Sequence, residues 1–186
     1  MLTPPQRSQL LRIARESIEA VLDGRRVTLT PDGIDETLRQ PSGAFVTLTT
    51  KDGQLRGCIG SLHPVAPLYQ AVADSAVNAA FRDPRFFPLR KDEWPDIEIE
   101  ISVMGPIEPV TATDDIVVGR DGLIVSRGRN AGLLLPQVAT DHGWNRDDFL
   151  RQTCVKAGLS PDSWRSPDCR IERFSAEVFS EQSTDS

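Results

Sequence analysis

The segment Leu55-Arg56-Gly57-Cys58-Ile59-Gly60 sets a guanidinium and a thiol two residues apart in a strand-like stretch broken by glycines. Alternation along a strand puts Arg56 and Cys58 on one face, about 7 Å apart, and Leu55, Gly57 and Ile59 on the other. A cation at that range favours the thiolate, the form of cysteine that attacks electrophiles and binds metals. Cys58 is therefore the candidate nucleophile, although a free cysteine commonly serves as a small buried hydrophobe. Arg56 can instead anchor a carboxylate or phosphate through its planar fork, with no reactive thiol involved. Gly57 and Gly60 are costly inside a strand unless the backbone bends, a ligand comes close or a helix packs tightly there. His63, just beyond, is the weaker candidate, as a base toward Cys58.

Two further groups carry chemistry. Arg82, Asp83 and Arg85 cluster at a helix end around Pro84, where they form either an ion-paired corner or part of a ligand site. Glu98 and Glu100 fall on one face of an Ile-rich strand, again about 7 Å apart, as a solvated face or as carboxylates that bind a cation or share acid and base roles. The cysteines at 58, 154 and 169 include no C-x-x-C pair, and only His63 and His142 accompany them. A disulfide framework or structural zinc is not expected, and no metal ligand is assigned. No P-loop, nucleophile elbow, zincin or dinucleotide fingerprint is present, so no cofactor is specified.

The elements that must position these residues are legible from periodicity. Thr3-Pro4-Pro5-Gln6 reads as a capped start to an amphipathic helix that Gly24 stops. Ala44 to Thr49 joins the motif strand through Asp52-Gly53, a hairpin signal. A small-residue helix is predicted from Leu68 to Phe81, and the strict alternation from Ile97 to Met104 predicts a strand. Gly122 to Ser126 and Leu133 to Leu135 read as strands around a glycine-rich turn. Asn145 caps a helix reaching Ala157, a last strand lies near Phe174 to Phe179, and the polar tail from about 181 to 186 is expected to be disordered. Hairpin-like connections favour one α+β domain, residues 1–186, with a mostly antiparallel sheet packed against helices.

The 186 residues are 39% hydrophobic and 26% charged, enough for one sizeable core, with a formal charge of −6. That balance argues against nucleic-acid binding, which needs clustered Lys and Arg. The N-terminus lacks the apolar run of a signal peptide and no stretch approaches a membrane span, so a cytoplasmic protein is expected.

The chain resembles the AMMECR domain family, of the type called AmmeMemoRadiSam system protein A in prokaryotes. The likeness is carried by 55-LRGCIGSL-62, Ala80-Phe81-Arg82-Asp83-Pro84-Arg85-Phe86, Glu100 to Val103, Gly119 to Leu123, Leu134 to Ala139, Gly143-Trp144, Phe149-Leu150 and Lys156 to Leu159. It implies a larger and a smaller subdomain in one compact unit, with the Arg-Gly-Cys-Ile-Gly segment as the functional centre. It also implies a pathway shared with a Memo-like protein and a radical S-adenosylmethionine protein. The expectation is an enzyme, or its substrate-handling component, that anchors an anionic small molecule on Arg56 and on Arg82 or Arg85, with Cys58 as nucleophile. The alternative is a non-catalytic module that binds those two partners. Where family members often carry a second proline after the Arg-Phe pair, this chain has Phe87 before Pro88.

Overall fold

The computed structural model describes residues 1–181, so the tail expected to be disordered lies, beyond Glu181, outside the described residues. Helix α1 (Pro4–Leu22) starts as its sequence dictates: the Gln6 side chain accepts the Thr3 backbone N–H at 2.8 Å. It buries Leu10, Ala14 and Ile18 at helical spacing. Strands β1 (Ala44–Thr50) and β2 (Leu55–Ser61) form the expected hairpin, followed by α2 (Leu68–Phe81) and β3 (Ile97–Met104). Then come β4 (Glu108–Pro109), β5 (Asp121–Arg127), β6 (Asn130–Leu134), α3 (Pro136–Asp141), α4 (Arg146–Lys156) and β7 (Arg170–Ser180). The Asn145 side chain caps α4 by accepting the Asp148 N–H at 2.9 Å. Helix α3, with Pro136 in its first turn, went unforeseen because six residues are too few to display a helical period.

These elements make an α+β fold with antiparallel strand pairing. The described chain divides into two compact units: Met1–Met104 together with residues 177–181, and Gly105–Ala176. In the first, β1 is flanked by β2 and β3, which leaves β2 at the edge, and α1 and α2 cover one face. Its core is built from Leu10, Ile18, Val46, Leu48, Val72, Ile99 and Ile101. In the second, β5 pairs with β6 and β7, and Phe149, Leu150 and Leu123 centre a smaller core. None of the described helices is long and apolar enough to cross a membrane.

One irregularity decides which way the motif faces. Leu48 pairs with Gly57 but Thr49 pairs with Leu55, so Arg56 is an extra residue, a β-bulge. Continued without a bulge, the register from Thr49 and Leu55 would set Cys58 opposite Val46, which points into the core. The bulge restores Cys58 to a place opposite Thr47, on the half-exposed face turned away from the helices. It also brings Leu55, opposite Thr49, onto the Cys58 face, where strict alternation sets it on the other.

Gly57 pairs with buried Leu48 and faces α2, where an added Cβ would lie 2.1 Å from the Ala79 carbonyl oxygen. The obstacle is helix backbone, which cannot swing aside. Gly57→Ala is expected to cost about 1–3 kcal/mol by overpacking, read as a lower urea midpoint at unchanged slope.

Candidate functional site

Because β2 is an edge strand, the N–H and C=O of Cys58 point away from the sheet and need partners. The loop after α2 supplies both. Asp83 Oδ2 accepts the Cys58 N–H at 2.9 Å, and Arg85 Nη2 donates to the Cys58 carbonyl at 3.4 Å. Asp83 is buried, at 3% exposure, and is gripped by Arg85 through Nε and Nη2 at 3.0 and 2.8 Å. The Arg85 guanidinium, helped by the Cys58 and Arg85 backbone N–H groups, holds the Asp83 carboxyl far below the usual carboxylate range, against the opposing effect of burial. Asp83 in turn raises Arg85. The Cys58 thiol, half-buried, receives a hydrogen bond from the Thr47 hydroxyl at 3.3 Å.

Arg56 is spoken for. Its Nε and Nη2 grip Glu93 at 3.0 and 3.1 Å, which lowers the Glu93 carboxyl, and its side chain is only 13% exposed. Its Nη1 is buried with no hydrogen-bond partner among the described residues. Both Arg56 and Arg85 approach the Phe86 ring, at 5.8 and 5.6 Å from its centroid. Of the two, Arg85 is the accessible cation, its side chain 54% exposed.

On the far side of β1, Glu100 pairs with Thr47, so Cys58, Thr47 and Glu100 form one row across three strands. Burial raises the Glu100 carboxyl, and no cation or donor among the described residues acts against it. Glu98 lies on the same face opposite Thr49. Gly60 has no room for a side chain, since an added Cβ would meet the Ala44 carbonyl oxygen at 2.2 Å and the Phe45 ring at 2.6 Å.

The structure thus brings Arg56, Cys58, Asp83 and Arg85 together around the strand edge and aligns Glu100 with Cys58. Arg82 is turned elsewhere: it lines a separate groove with Val27, Ala73, Asp74, Val77 and Asn78. His63 is exposed beyond the end of β2, and its backbone N–H and C=O bond the Ser61 hydroxyl. Among the described residues no cluster of three or more His, Cys, Asp or Glu side chains could hold a metal. Sequence reasoning missed Glu93 and Thr47. Nothing local marks Glu93, which reaches Arg56 across 37 positions of chain. Thr47 was within reach, since the hairpin places a β1 residue opposite Cys58, but choosing Thr47 over Val46 requires knowing of the bulge.

The AMMECR1 family pattern matches residues 11–179. A protein of Methanothermobacter thermautotrophicus is 48% identical over 178 residues, spanning 92% of this chain and 92% of its own. Another, from Thermococcus gammatolerans, is 44% identical over 182 residues, 93% of this chain and 89% of its own. The crystal structure of an uncharacterised protein from Pyrococcus horikoshii matches with a TM-score of 0.84 at 40% identity, covering 95% of this chain and 91% of that one.

Replacing Asp83 by Asn removes the charge that Arg85 and the Cys58 N–H share, at an expected cost of about 1.5–3 kcal/mol at neutral pH. The folded Asp83 carboxyl titrates below its unfolded value, so its contribution is present above the unfolded value and lost as pH falls through the folded one. The gap in urea midpoint between wild type and Asp83→Asn should accordingly narrow below about pH 4. A gap independent of pH would show that the charge is not what stabilises the corner.

Proposed function

The chain belongs to the AMMECR1 family, and from that premise we propose that it is an enzyme, or the substrate-handling component of one, acting on a small molecule at the Cys58 face. One observation carries the reading: Cys58 is fixed through its N–H, its carbonyl and its sulfur at once, while its side chain faces away from the core. Such immobilisation costs conformational freedom and suits a group that must meet a reacting partner in one geometry. Cys58 is the nucleophile of this proposal, and the Thr47 hydroxyl is placed to stabilise negative charge on its sulfur. The anionic group of the ligand belongs on Arg85. Arg56 has the Nε–Nη2 edge of its fork committed to Glu93 and its remaining Nη1 buried, whereas Arg85 is half-exposed and keeps an accessible guanidinium outside its own pair with Asp83. Arg56, Gly57 and Gly60 act in this reading by shaping the strand. The protein works in the cytoplasm alongside a Memo-like protein and a radical S-adenosylmethionine protein.

A second reading, a module that docks on those partners without chemistry of its own, is favoured by Phe87. This aromatic side chain is 91% exposed and directly follows the Arg85-Phe86 corner, where a docked partner surface would remove it from water.

The two readings separate when purified protein is combined with both partners and a metabolite extract and followed by mass spectrometry. The enzyme reading expects a compound consumed by wild type and not by Cys58→Ser, and an Arg85→Gln variant that needs roughly tenfold more of it. Full turnover by Cys58→Ser would remove the nucleophile. The docking reading expects Phe87→Ser to weaken partner association while Cys58→Ser leaves it intact.

A further inference from the structure

The charges around Cys58 narrow the class of ligand, on the premise that the Cys58 face is a small-molecule site. The paired positions of β1, β2 and β3 on that face are apolar, hydroxylated or acidic: Phe45, Thr47 and Thr49 on β1, Leu55, Cys58 and Gly60 on β2, Glu98, Glu100 and Ser102 on β3. None is Lys or Arg. The cations nearby stand at the β2 edge, where Arg56 is neutralised by Glu93 and Arg85 by Asp83. The half-buried Glu100 has no ion-pair or hydrogen-bond partner among the described residues, in contrast to Asp83 and Glu93, which are each gripped by a guanidinium. A desolvated carboxylate without a partner costs free energy that an ammonium or a strong donor would offset.

Glu100 stands in the same row as Cys58 with only Thr47 between, so about 10 Å separates their backbones. Arg85 lies on the other side of Cys58, outside the edge. We propose that the site takes a zwitterionic small molecule that lies across the strands, its ammonium against Glu100, its anionic group at Arg85 and its reacting atom over Cys58. Glu100 is then the residue that selects for the positive end, and the row Cys58-Thr47-Glu100 sets the distance between that end and the thiol.

Thiol reagents of matched size and opposite charge test this without knowledge of the natural ligand. The Cys58 thiolate displaces methanesulfinate from a methanethiosulfonate and forms a mixed disulfide; the probes are the trimethylammonioethyl, sulfonatoethyl and neutral methyl compounds. Peptide mass spectrometry reads the rate at Cys58 apart from Cys154 and Cys169. Glu100→Gln preserves shape and removes the charge, and it should lower the ratio of cationic to anionic rate by about fivefold or more, since each rate moves in the opposite sense. In the wild type, added salt should shrink the same ratio. An unchanged ratio in Glu100→Gln, or a wild-type ratio indifferent to salt, overturns the ammonium end of the ligand and leaves the Cys58 reading standing. Failure of the neutral reagent to label Cys58 in the native protein overturns both.

Discussion

Arg56 has no partner across the hairpin, so the alternation of β2 resumes one residue late. Everything at the site follows from that one-residue offset. It places Gly57, the smallest side, against the Ala79 carbonyl of α2, and Cys58 opposite the Thr47 hydroxyl. In the unbulged register Cys58 would face the helices opposite Val46, sealed among aliphatic side chains. The bulge is held by the Arg56 fork on Glu93, an ion pair largely removed from water. Such a pair adds little net stability over an apolar packing, but breaking one side of it is costly, which makes it a device for fixing a geometry.

A bulged edge strand is locally weak, because ladder hydrogen bonds are lost at the extra residue and the outer backbone groups lack a neighbour. Asp83 and Arg85 answer the second weakness directly. One accepts from the Cys58 N–H and the other donates to its carbonyl, as a paired strand would, and they neutralise each other while doing so. The same two side chains therefore close the edge against pairing with a foreign strand and immobilise the one cysteine that faces away from the core of the first unit. Stability and preorganisation share the same bonds here, so substitutions at Asp83 must be judged by stability and by Cys58 reactivity together.

The secondary structure was readable because it rests on local signals: the Thr3 and Asn145 caps, the Leu68 to Phe81 small-residue face and the Ile97 to Met104 alternation each match an element within a few residues. The motif was readable as a place, since residue types alone marked Arg56, Cys58, Asp83 and Arg85. Their connections were less so. That Asp83 reaches Cys58 across 25 positions, or Glu93 reaches Arg56 across 37, is a property of packing that no spacing in the chain announces. Gly57 shows the same limit. A glycine in a strand says that something comes close, and only the fold says that the visitor is Ala79 of a helix.

The bulge also settles how charge is distributed over the site. Arg56, the unpaired bulge residue, has its charge taken up by Glu93 and so contributes little to the Cys58 face. The accessible guanidinium is then at the edge, on Arg85 with its charge balanced by Asp83, and the unpartnered carboxyl is inside the sheet, at Glu100. Donor and carboxyl thus stand at opposite ends of the row through Thr47 and Cys58, across the strands. A ligand carrying a single charge would complement one end of it and meet the other unpaired, whereas a ligand with opposite charges at its two ends is oriented by both before any bond to sulfur forms.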